Sequence, residues 1–158
     1  MDHDDPGDLN HIKQNNLDDI IKTDGANTLF RLCDNHYQNK QIEYEFAELL
    51  LNYGVDARAK DDCGKTALHK LCEHYMHRQA DSRKELIELL IKSGADVNAS
   101  DDYKAQPLHN AAKCDHVGEC ISCLLDLGAD TNARNQAGQT PLDIATQSEN
   151  EVAIKLLS

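Results

Sequence analysis

Asp61-Asp62-Cys63-Gly64-Lys65-Thr66-Ala67-Leu68-His69 opens the stretch that decides the fold, and Leu86-Ile87-Glu88-Leu89-Leu90-Ile91-Lys92-Ser93-Gly94-Ala95-Asp96 closes it. The rest of the chain largely repeats this pattern. Leu49-Leu50-Leu51-Asn52-Tyr53-Gly54-Val55-Asp56 matches the second half, and so does Leu124-Leu125-Asp126-Leu127-Gly128-Ala129-Asp130. The first half recurs as Asn27-Thr28-Leu29-Phe30, Gln106-Pro107-Leu108-His109 and Thr140-Pro141-Leu142-Asp143. The glycines stand 40 and then 34 residues apart, so the period is near 33 with insertions in the earlier copies.

Each copy has a physical reading. Leu86, Leu89 and Leu90 share one face at helical spacing. Gly94 follows the last turn, where a residue without Cβ closes the helix in the left-handed region. Pro107 and Pro141 take first-turn positions, where a missing N–H costs nothing. A copy is therefore two short helices and a reversing turn. Neither helix can bury its face alone, so neighbours must stack, with Leu68, Leu108 and Leu142 aligned through one interior.

This pattern resembles the ankyrin repeat in its period and its Thr-Pro-Leu-His signature, from about Gly25 onward. The resemblance implies an all-α ankyrin-repeat solenoid with protruding turns, in repeats of about 25–60, 61–100, 101–134 and 135–158. An acidic, disordered segment at 1–8 and a capping helix region at 9–24 are expected ahead of it. Loops at 37–41 and 77–82 lengthen the first two repeats at equivalent places, and Ser82 with Glu85 has capping-box spacing. The last repeat lacks a Gly-Ala-Asp mark, so the stack is expected to stop there.

Three departures bear on regularity. Lys104 stands where Gly64 and Gly138 occupy the turn, which must bend differently or tolerate strain. Arg58 replaces the asparagine of Asn98 and Asn132, and Asp143 replaces the histidine of the last motif. Both put the hydrogen-bond ladder between turns in doubt at its ends.

Net charge is −12 over 158 residues, and residues 1–26 carry seven acids against two lysines. That sign disfavours phosphate neutralisation and hence nucleic acid, and fits a protein partner with a basic surface. No run reaches the roughly 18 apolar residues of a membrane span. The first residues lack the basic and apolar regions of a secretory signal, so a cytoplasmic or nuclear monomer is expected.

No cofactor and no catalytic residue are expected. Without an export signal, the six cysteines are not read as a disulfide framework, and Cys33 and Cys72, at equivalent repeat positions, are read as small core residues. Cys114, His116, Cys120 and Cys123 are the sharpest cluster, since thiolate with imidazole suits tetrahedral zinc. A helix turn is not the knuckle that presents Cys-x-x-Cys, however, and the set is interleaved with apolar residues. A metal- or redox-responsive protein built on these residues is the rival class. Cys–His nucleophiles fail because alternate residues on a helix point about 200° apart.

The resemblance implies instead a partner surface made by the turn tips and a concave wall of inner helices. Its candidates are Asp62, Cys63 and Lys65, then Asp102, Tyr103, Lys104 and Ala105, then Gln136 and Gln139 on the tips. Glu73, His74, Lys113 and Cys114 are the candidates on the helices. Tyr103 is the expected anchor. The reading is a scaffold, adaptor or stoichiometric inhibitor, resembling either inhibitors of NF-κB or regulatory subunits of protein kinases.

Overall fold

Alternation of first-turn prolines with helix-closing glycines produces paired helices. The computed structural model describes residues 17–34, 40–73, 81–115 and 118–158. They form α1 (Leu17–Asp34), α2 (Lys40–Asn52), α3 (Ala67–Glu73), α4 (Asp81–Lys92), α5 (Pro107–Cys114), α6 (Glu119–Asp126), α7 (Pro141–Gln147) and α8 (Glu151–Leu157). No strand occurs among the described residues, and none of their helices is long and apolar enough to cross a membrane. Each odd-numbered helix packs on the next odd one and each even-numbered helix on the next even one, giving an inner and an outer layer.

Helix ends follow the sequence closely. Gly54, Gly94 and Gly128 sit at φ 95, 98 and 90°. The N–H one residue beyond each reaches back to Leu50, Leu90 and Leu124 O at 3.1, 2.9 and 2.9 Å. These are Schellman closures, which need a residue without Cβ at the left-handed position.

Leu29, Leu68 and Leu108 are fully buried in one apolar core that runs through the stack. Leu142, expected in the same line, is only half-buried. Among the described residues α7 has an inner neighbour on one side only, so nothing covers its far face.

Several boundaries differ from the sequence reading. Helix α1 runs unbroken through Gly25, so the expected division at 24/25 falls inside it. A helical glycine costs only about 1 kcal/mol, which packing readily offsets. Ser82 lies inside α4 rather than capping it. The outer helix expected from Val117 starts at Glu119, because Gly118 is left-handed at φ 84°. Buried Asp115 sets this start by accepting from Gly118 N at 2.9 Å and Ile121 N at 2.9 Å. The segment 1–8, most of the two long loops, His74 and His116 lie outside the described residues.

Successive repeats are joined by side-chain rungs. Thr66 N–H donates to His69 Nδ1 at 3.1 Å, and His69 Nε2 meets Ala105 O of the next turn at 3.0 Å. Gln106 N–H and Gln139 O bracket His109 in the same way, each at 3.1 Å. Because Nδ1 accepts from an amide, the ring proton sits on Nε2 and is donated forward.

Arg58 keeps its rung, against expectation. Its Nε donates to Gly94 O at 2.8 Å, as Asn98 Nδ2 donates to Gly128 O at 3.2 Å. Asp143 accepts only from its own Thr140, from the backbone N at 2.8 Å and the hydroxyl at 2.9 Å. It reproduces the local half of the histidine's work and passes nothing onward.

Burial pushes the His69 imidazole below its ordinary value of 6.5. The native state thus refuses a proton that the unfolded chain accepts, so stability present above pH 6.5 is lost as pH falls through the lowered native value. The urea midpoint is expected to fall from pH 7 toward pH 5, a window above the ordinary titration of carboxylates near 4. His69→Asn should flatten that slope, measured by equilibrium denaturation; an equal slope in both proteins would contradict the assignment.

Candidate protein-interaction surface

Three fingers project between the helix pairs, and one device closes each. Asp61 Oδ1 accepts from Cys63 N and Lys65 N, both at 2.9 Å. Asp101 does the same for Tyr103 N and Ala105 N at 2.9 Å, and Asn135 for Ala137 N and Gln139 N at 3.0 Å. Burial opposes the Asp61 charge, but these donated N–H groups and Lys70 hold its carboxyl below the ordinary range. The fourth residue of each finger must be left-handed: Gly64 at φ 73°, Lys104 at 55° and Gly138 at 76°. Lys104 therefore tolerates the strain instead of bending the finger differently.

The fingers are locked side by side. Asp102 N–H donates to Cys63 O at 3.1 Å and Gln136 N–H to Tyr103 O at 2.8 Å. A Cβ on Gly64 would lie 2.8 Å from Asp102 N, so a larger residue at this finger would force the pair to shift. Side chains also tie fingers to inner helices: Lys65 pairs with Glu73, Lys70 with Asp61 at 3.1 Å, and Gln139 Nε2 donates to Gln147 Oε1 at 2.9 Å. In the middle repeat the equivalent residues are Ala105 and Lys113, whose chemistry allows no such tie.

Asp62, Cys63, Asp102, Tyr103, Lys104 and Gln136 are all exposed on the tips, with Tyr103 at 63%. Lys65, Ala105 and Gln139 are half-buried at the finger bases, and Glu73, Lys113 and Cys114 line the adjoining inner helices. The tip and helix candidates thus share one face. His74 lies outside the described residues.

The cysteine cluster does not converge. Cys120 Sγ lies 3.4 Å from Cys72 Sγ in the core. Cys123 faces an outer-layer groove of about 550 Å³, which Lys84, Gly118, Ser122, Val152 and Leu156 also line. Burial raises the Cys114 thiol, and raises that of Cys123 to about 11. Among the described residues no three His, Cys, Asp or Glu side chains are grouped to hold a metal ion. The groove went unread in the sequence; its one local signal was Gly118, where a Cβ would strike Val152 Cγ1 and Leu156 Cδ1 at 2.7 Å.

A family model for ankyrin repeats (3 copies) matches residues 74–158. The chain belongs to the ankyrin-repeat family. It is also similar to the tyrosine-protein kinase HTK16 of Hydra vulgaris, with 33% identity over 142 residues. That match covers 89% of this chain and 18% of the kinase, so the chain spans under a fifth of its curated relative. Ankyrin repeats are protein-interaction modules.

Holding Lys104 left-handed costs roughly 1–2 kcal/mol relative to a relaxed backbone. Lys104→Gly is therefore expected to raise stability by about 1 kcal/mol after the added freedom of the unfolded chain is deducted. Chemical denaturation measures it, and a loss of stability would show that the Lys104 side chain has a structural role.

Proposed function

We propose that this ankyrin stack is a non-catalytic binding module whose partner protein docks across the finger tips and the concave side of the inner helices. The observation that carries this reading is Tyr103. Its side chain is 63% exposed, while hydrogen bonds from both sides of its finger hold its backbone. A large ring presented on an ordered tip loses little freedom on docking, so more of its contact energy becomes affinity. Exposed Asp62 and Asp102 flank it and suit basic groups on the partner.

The similarity to a tyrosine-protein kinase supports a narrower version: the module regulates or positions a kinase. It would act as a separate adaptor or inhibitor, or as one part of a longer chain. An inhibitor of Rel-type transcription factors is the alternative carried by the resemblance to inhibitors of NF-κB.

Affinity capture from cell extract followed by mass spectrometry identifies the partner, and recovery of a kinase or of Rel-type factors separates the two versions. Replacing Tyr103→Ala together with Asp102→Ala is expected to weaken that partner about thirtyfold, the effect of removing one hot spot. The melting temperature should barely change, because neither side chain is buried. Undiminished binding by the folded double variant would place the interface elsewhere.

A further inference from the structure

Counting back from the helix-closing glycine, the same two outer-helix positions hold Phe46 and Leu49, then Leu86 and Leu89, then Cys120 and Cys123. Smaller side chains at such positions bury less volume than leucine or phenylalanine would. Cys120 meets a partner there. Its sulfur lies 3.4 Å from that of Cys72, 48 residues earlier in the chain, and the two side chains are 3% and 1% exposed. Cys72 sits on α3 in the second repeat and Cys120 on α6 in the third, so the contact spans the junction between repeats.

We propose that Cys72 and Cys120 form a reversible dithiol–disulfide couple that locks the second repeat to the third when a hydroperoxide or a low-molecular-weight disulfide oxidises it. With a hydroperoxide, one thiolate attacks the peroxide oxygen, breaks the O–O bond and becomes a sulfenic acid. The second sulfur then displaces hydroxide, which leaves as water. Two thiols and one hydrogen peroxide yield one disulfide and two waters. With oxidised glutathione, two successive exchanges release two glutathione molecules, which carry off the two protons and two electrons.

The closed stack resists this reaction. The hydrogen bond to Cys120, together with burial, pushes the Cys72 thiol well above its usual range, so thiolate is scarce while the core is shut. Oxidation therefore proceeds through opening of α6. That helix is only eight residues long, and its start is held by the Asp115 carboxylate. Reclosure returns the two sulfurs to contact, which selects this pair over the neighbouring Cys114 and Cys123.

Purified full chain, incubated with oxidised glutathione without denaturant and then alkylated, is mapped by non-reducing peptide mass spectrometry. A Cys72–Cys120 linkage is expected, with a urea midpoint roughly 1–2 M higher that reverts with dithiothreitol. Cys72→Ala should abolish both effects and still fold, since the third repeat carries Ala112 at the equivalent buried place. Cys123→Ala should leave both intact. A linkage to any other cysteine, glutathione adducts without a linkage, or an unchanged midpoint would overturn the proposal.

Discussion

The stack depends on a buried imidazole that faces two ways. His69 and His109 each accept at Nδ1 from the backbone of their own repeat and meet at Nε2 a carbonyl of the next. Each of those carbonyls already accepts from its own finger, Ala105 O from Asp101 N–H at 2.9 Å and Gln139 O from Asn135 N–H at 3.0 Å, so the imidazole adds the bond that crosses between repeats. The same contact sets the ring's tautomer, the helix start and the spacing of neighbouring fingers. Cooperation along the stack thus passes from each repeat to the next, as expected for a quasi-one-dimensional fold.

The other rungs run parallel to this one. Arg58 and Asn98 bind the carbonyl that closes the following outer helix, and the finger tips pair through their backbones. The proposed function draws on that rigidity. A partner docking there would meet fingers already fixed by Asp61, Asp101 and Asn135, which leaves the surface little ordering to do on binding. On that reading the side chains of the face, and not the fold, choose the partner.

What was legible in the sequence was whatever recurs. The glycines, the first-turn prolines and the Thr-Pro-Leu-His marks located the fingers and most helices because each acts within a few residues of itself. Contacts between repeats were harder to read. Arg58 looked like a break in the ladder, yet its longer side chain reaches the same carbonyl as the asparagine it replaces. The approach of Cys72 to Cys120 has no local signature, and spacing alone groups Cys120 with Cys114 and Cys123 instead. Leu142 matched the repeat pattern and is still only half-buried, because burial depends on a neighbour that pattern alone does not supply. On the candidate surface, spacing identified the tips, but the ties from Lys65 to Glu73 and Gln139 to Gln147 required the folded register.

The most direct test of the two-way imidazole is its tautomer. Nitrogen-15 NMR of the two histidines should show the ring proton on Nε2, with Nδ1 accepting a hydrogen bond. A ring proton on Nδ1 instead would mean that the rungs joining the repeats are made differently, and would contradict the two-way imidazole.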